Sequence, residues 1–192
     1  MHLRDLTKTR EINRGDRSLM ESVLYPEVIA ALNDWKAGGW RPSSILIGGV
    51  ALSFHAKPRT TQDIDILFLT PDAAPDAVPG FRRHRAGAFE HIETGIEVEI
   101  ITPQSINVRP DLIKAVVDDA VENDGIRIAS VSGLVALKLQ SLRLIDKADI
   151  VQLINTGRVN LDPFPLSQAH LVAYEGLRRE AAKEAAGGGD AL

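Results

Sequence analysis

Asp63 and Asp65 stand two positions apart in the run Asp63-Ile64-Asp65-Ile66-Leu67-Phe68-Leu69. On a β-strand, positions i and i+2 face the same way. The two carboxylates would therefore lie side by side, while Ile64, Ile66 and Phe68 form the opposite, core-facing side. Like charges that close repel unless a cation lies between them. A divalent ion such as Mg²⁺ or Mn²⁺ meets that need, since it takes carboxylate and phosphate oxygens together. A second feature precedes the pair. Gly48-Gly49 follow the apolar segment Ile45-Leu46-Ile47 and open a short helical stretch. Glycine lets backbone N–H groups come close to a ligand, and a helix N-terminus attracts anions. A phosphate cradle beside a carboxylate pair suits phosphoryl or nucleotidyl transfer from a nucleoside triphosphate.

Ile47-Gly48-Gly49, then thirteen residues, then Asp63-Ile64-Asp65-Ile66 resembles the motif of the nucleotidyltransferase superfamily, whose fold is polymerase-beta-like. Gly48-Gly49-Val50-Ala51 with Arg59-Thr60-Thr61-Gln62-Asp63-Ile64-Asp65 is similar to its AbiEii-like, or MenA-like, branch, which includes toxins of toxin–antitoxin systems. The resemblance spans about residues 20–155. It implies transfer of an NMP from an NTP to an acceptor, either RNA such as a tRNA 3′ end or a protein. It also implies Mg²⁺ or Mn²⁺ as cofactor and a cognate antitoxin as partner. In that frame Gly48 and Gly49 hold the triphosphate, and Asp63 and Asp65 bind metal.

The family pattern further calls for a third carboxylate on a neighbouring strand. Ile96 to Ile101 supplies Glu97 and Glu99 on one face. Glu99, in Val98-Glu99-Ile100-Ile101, matches the family's third strand better, with Glu where Asp is usual. It would complete the metal site and help deprotonate the acceptor hydroxyl. Arg59 falls on the family's Arg-x-Thr-x-Asp position, where it would pair with the triphosphate or neutralise the acids. Lys138, in Leu137-Lys138-Leu139, corresponds to a lysine that contacts nucleotide phosphates. Read from its apolar helix alone, it is equally a snorkelling side chain. Arg143, Asp146 and Asp149 read as an ion-pair set between helices, and Ile145 stands where the family has Lys. Those two departures, at Glu99 and Ile145, favour a rival reading, a degenerate nucleotidyltransferase-fold binding module. A further rival is transfer to a small molecule such as an aminoglycoside-type antibiotic.

Other chemistry is excluded or weak. With no Cys among 192 residues, thiol nucleophiles, disulfides and Cys-ligated zinc are impossible. His91-Ile92-Glu93 thus cannot begin a zinc-deaminase site, and His55, His84 and His170 are isolated in the sequence. Walker A, His-Glu-x-x-His and Gly-x-Ser-x-Gly motifs are absent. The net charge of −4 disfavours a bulk-basic nucleic-acid coat. One basic run, Arg82, Arg83 and Arg85 with His84, is either a solvated surface or a local site for RNA phosphate. No apolar run reaches the ~18 residues of a membrane span, and the charged N-terminus is not a secretory signal. A cytoplasmic protein without a membrane partner is expected.

These residues must be held by a scaffold. Apolar periodicity predicts a helix over 18–37, strands at 44–47 and 63–69, and a short helix at 50–56 between them. Residues 72–80 read as a loop, 81–85 and 88–92 as edge strands, and 96–101 as an alternating strand. A helix over 110–120 starts at Pro110, Asn123-Asp124-Gly125 turns the chain, and 126–128 is a short strand. Helices follow over 131–144, 146–155 and 166–186. The class is α+β, with a nucleotidyltransferase-like mixed sheet flanked by helices and a helical C-terminal extension. Residues 18–129 would form the core, 130–186 a helical region packed on it, and 187–192 a flexible tail.

Overall fold

The computed structural model describes residues 24–57, 61 and 63–187. Residues 18–23 of the predicted helix, Arg59, and the tail after Gly187 lie outside the described residues. The predicted helix is corrected at Leu24 and Tyr25, which are not helical because Tyr25, before Pro26, is extended. The chain is α+β, built on one seven-stranded mixed sheet with helices around it. The first helix, α1 (Pro26–Gly38), buries Val28, Ala31, Leu32 and Trp35 along one stripe, the spacing of a single helix face. Pro26 starts it, where a missing N–H costs nothing. Trp35 meets Phe81 and Phe89 edge-on, at 5.2 and 5.4 Å between ring centroids. This packing fixes α1 against one face of the sheet.

Strand β1 (Ile45–Ile47) leads into α2 (Gly48–Ser53), and β2 (Asp63–Leu67) returns antiparallel to β1. Strands β3 (Phe81–Arg85), β4 (Ala88–His91) and β5 (Glu97–Ile101) form an antiparallel meander. The meander joins the rest through β5, which runs parallel to β2. Short α3 (Pro103–Ile106) and then α4 (Pro110–Asp118) follow. A hairpin of β6 (Val121–Asn123) and β7 (Ile126–Ile128) adds to the far side of β1. The final order is β3-β4-β5-β2-β1-β7-β6. Helices α5 (Val131–Lys138), α6 (Leu144–Ile154) and α7 (Gln168–Gly187) complete the chain. Among the described residues, no helix is long and apolar enough to cross a membrane.

The differences from expectation have local causes. β6 extends the predicted Asn-Asp-Gly turn into a hairpin, because Asp124 and Gly125 both take positive φ (51° and 70°), as a type I′ turn requires. α3 arises from a Thr102–Ser105 capping box and stops at Asn107, which is left-handed. The predicted helix over 131–144 ends at Lys138, and Leu142 takes φ 50°. That reversal divides α5 from α6. Helix α5 packs against α4, α2 and α6, and α7 packs on α6.

Candidate functional site

The two faces of the central strands differ completely. Ile64 and Ile66 of β2 and Val98 of β5 are buried on one face. The other carries the acids, because β2 and β5 pair in parallel with Asp63 opposite Glu97 and Asp65 opposite Glu99. This register brings three sequence candidates, Asp63, Asp65 and Glu99, onto one surface. Glu99 is the nearer cross-strand neighbour of Asp65. Glu97 is the neighbour of Asp63, closer to the start of both strands.

Gly48 meets Asp65 from β1. Ile47 pairs with Asp65, and Gly48 turns into the left-handed region with φ 69°. A Cβ built on Gly48 would overlap Asp65 Oδ2 and crowd its Cγ. Glycine is thus required both by the turn and by the carboxylate lying against its Cα. Gly49 has a different place. It is buried in the first turn of α2, where its carbonyl accepts a 3.1 Å hydrogen bond from Ser53 Oγ.

A cleft of about 550 Å³ opens over this floor. Gly48, Asp65 and Glu99 line its sheet side; Ile106, Asn107 and Val108 form one flank; Leu134, Leu137, Lys138, Gln140 and Arg143 form the helical wall. The wall contains a nearly closed charge network. Lys138, 8% exposed, reaches Asp149 Oδ2 at 2.7 Å and Asp146 Oδ1 at 3.4 Å. Arg143 donates from Nε to Asp146 Oδ2 at 2.7 Å and from Nη2 to Oδ1 at 3.3 Å. Ser141 adds a 2.6 Å hydroxyl hydrogen bond to the same Oδ2. Burial pushes the Asp146 carboxyl up, but the hydrogen bonds from Arg143 and Ser141 and the Lys138 charge outweigh it, holding the group at about 2.

The helix–helix ion-pair reading of Arg143, Asp146 and Asp149 describes part of this network. Lys138 joins it, so its ammonium is engaged by carboxylates within the cleft wall. Sequence reasoning did not place Arg143 on the cleft. Its side chain is 72% exposed although Asp146 clamps it. The Asp146 hydrogen bond and charge raise its pKa, and the negative charge of Asp65 adds to the effect. The clamped guanidinium therefore feels the field of the floor. Asn107 was also missed, and its signal was its readiness to adopt the left-handed conformation.

The basic run at 82–85 is internally matched. Arg82 Nη2 lies 2.6 Å from Glu90 Oε1. Arg83 donates to the Asp76 carbonyl at 3.0 Å and stands 5.0 Å from the Phe89 ring centroid. His84 approaches Glu90 and Glu97 at 3.3 and 3.6 Å. Arg85 Nη2 is 2.6 Å from Glu97 Oε1, and its Nη1 and Nη2 are both 3.5 Å from Glu99 Oε1. The run is an exposed surface on which Arg82, His84 and Arg85 meet carboxylates of their own sheet, while Arg83 meets a backbone carbonyl and a ring. His91 is also a structural residue. It is buried, donates from Nε2 to Asp34 Oδ2 at 3.0 Å, and has Nδ1 2.8 Å from the Thr94 hydroxyl.

The donor chemistry of the floor suits a hard divalent cation, because Asp63, Asp65 and Glu99 offer only carboxylate oxygens. Asp65 and Glu99 line the cleft, and Asp63 lies on the same face of the sheet beyond its lining. Among the described residues, no three His, Asp or Glu side chains converge closely enough to enclose an ion, and Glu99 is turned toward Arg85. The chain matches no protein-family model, and no curated protein matches it.

Proposed function

We propose that this chain is a metal-dependent nucleotidyltransferase that moves an NMP from an NTP to RNA, such as a tRNA 3′ end, or to a protein acceptor. One observation carries the reading. Gly48 lies against Asp65, and Asp65 stands in register with Glu99, on the floor of a cleft walled by Arg143. The toxin–antitoxin assignment and a cytoplasmic location belong to the same proposal and rest on the sequence resemblance.

Asp63, Asp65 and Glu99 would hold Mg²⁺ or Mn²⁺. The bound ion would neutralise charge on the transferring phosphoryl group. The chain's own residues do the rest. Gly48, having no side chain, lets the Asp65 carboxylate lie against the start of α2, beside the cleft. Arg143, oriented by Asp146, directs its remaining N–H donors to an anionic substrate. Glu99 accepts the proton from the acceptor hydroxyl. The hydroxyl oxygen forms a bond to the α-phosphorus, the bond to the β-phosphate bridging oxygen breaks, and pyrophosphate leaves with that electron pair.

Labelled NTPs incubated with the chain, Mg²⁺ and either RNA or protein acceptors test the proposal. Wild type should label an acceptor, and Asp65→Asn should reduce labelling by about 100-fold or more, the scale of losing one preorganised electrostatic group. Equal labelling by both proteins would remove Asp65 from the site. A second reading, a nucleotide-binding module without turnover, is favoured by the Lys138 ammonium being engaged by Asp149 and Asp146. Calorimetric NTP binding that needs no Mg²⁺ and releases no pyrophosphate would establish that alternative.

A further inference from the structure

We infer that Arg85 is a built-in competitor for the divalent cation, parked by Glu97 against Glu99, and that it sets the metal affinity of the floor. The inference rests on the metal-site reading above and adds a regulatory residue to it. Glu97 and Glu99 both lie on β5, two positions apart on one face, yet their partners differ. Asp63 is the register neighbour of Glu97, and Asp65 that of Glu99. Only Glu99 of this pair lines the cleft.

The Arg85 guanidinium makes its short contact, 2.6 Å, with Glu97 and its longer ones, 3.5 Å, with Glu99. Glu97 thus anchors the arginine, and Glu99 is held more loosely. This division of roles separates two glutamates that the sequence left open. Glu99 is the metal-facing carboxylate, and Glu97 is the tether of its counter-ion. The origin of Arg85 also matters. It sits at the end of β3, where the β3–β4 register shifts between Arg83 and Arg85. That irregularity moves the side chain relative to regular pairing, in the manner of a bulge that re-aims one residue.

A cation within reach of Glu99 reduces the negative potential that attracts Mg²⁺ or Mn²⁺ and occupies an oxygen that the ion would use. The Arg85 side chain is about half exposed, so the effect has the size of an exposed pair, about threefold in affinity. The analogous arginine Arg82 is paired with Glu90, away from Asp65. It controls for a general loss of positive charge.

The test is Mn²⁺ binding to the full-length chain, followed by electron paramagnetic resonance of free Mn²⁺. Arg85→Gln should bind Mn²⁺ about threefold more tightly than wild type. Arg85→Lys, which keeps the charge, should remain near wild type, and Arg82→Gln should be unchanged. Equal affinities for wild type and Arg85→Gln would overturn the inference and leave the metal site standing. So would an equal gain in Arg82→Gln, which would reduce the effect to net charge. No Mn²⁺ binding by any of the proteins would overturn the metal-site reading itself, and this inference with it.

Discussion

The two sides of the cleft both carry carboxylates, and they treat them oppositely. On the helical wall, Asp146 and Asp149 are buried and closely matched by Lys138 and Arg143. On the sheet floor, Asp63, Asp65, Glu97 and Glu99 share one face, with Arg85 bridging the two glutamates. Among the described residues, the wall carries two acids and two cations, and the floor carries four acids and Arg85. A balanced buried cluster needs no ligand, since each charge already has a partner. Breaking such a cluster is costly, although its net worth against an apolar replacement is small. A negative surface at the base of a concavity attracts cations and favours the polyanions they carry. The buried Lys138, Asp146 and Asp149 of the wall are therefore architecture, and the floor together with the exposed Arg143 is where the proposed chemistry would take place.

Substitutions on the two sides should separate these roles. The largest stability effect is expected on the wall. Lys138→Met would leave Asp146 and Asp149 without their shared buried cation and should lower the unfolding free energy by about 3 kcal/mol or more. Urea denaturation followed by circular dichroism measures it. A loss below 0.5 kcal/mol, as an order-of-magnitude limit for a surface change, would show that the network carries little structural weight.

Gly48→Ala tests the seam between floor and wall. The left-handed backbone and the overlap with Asp65 should together cost about 2 kcal/mol. NTP transfer should be lost even at temperatures where the variant remains folded. Transfer at the wild-type rate would mean that the Asp65 position is irrelevant to activity.

The pH response comes next. Asp146 is held at about 2 in the folded chain, below its ordinary 3.8. A depressed carboxyl stabilises the fold fully above its unfolded pKa, and that contribution is lost as pH falls through the folded value. Stability should therefore decline between about pH 4 and pH 2. Arg143→Gln removes a main cause of the depression and should flatten that decline. An unchanged acid profile in Arg143→Gln would show that the clamp does not set the Asp146 titration.

The smallest stability effect is expected on the floor. Asp63 is exposed and lies among like charges. Asp63→Asn should change stability by less than about 0.5 kcal/mol, with either sign, while sharply reducing Mn²⁺ affinity. A large destabilisation there would erase the contrast between the two sides.

Much of this molecule is legible along the chain. The alternation in Asp63-Ile64-Asp65-Ile66 marks a strand with one acidic and one apolar face, and β2 buries Ile64 and Ile66. The Gly-Gly turn after Ile47 is equally local, because positive φ at Gly48 is an intrinsic glycine property. Helices α4 and α6 follow their apolar stripes within a few residues, whereas α1 begins only at Pro26, eight residues after the predicted start. Less was legible where local propensity is overruled. Residues 139–143 have helical composition, yet Leu142 adopts a left-handed conformation and α6 restarts at Leu144. This break lets Asp146 and Asp149 close on Lys138, with Arg143 clamped on Asp146. β6 is exposed and three residues long, so it has no hydrophobic period to reveal it.

The sequence by itself determined which residues could do chemistry, which faces of the strands are polar, and the α+β class, since all three follow from short-range periodicity and residue type. The tertiary structure decided the rest. Whether Glu97 or Glu99 faces Asp65 depends on strand register, and register is set by packing between segments about thirty residues apart in the chain. Which carboxylates the exposed basic run meets depends on strand pairing, including the irregularity between Arg83 and Arg85. Whether Lys138 is engaged depends on the turn that carries Asp146 and Asp149 onto it. These are long-range pairings, and a charge on a linear chain does not specify its partner.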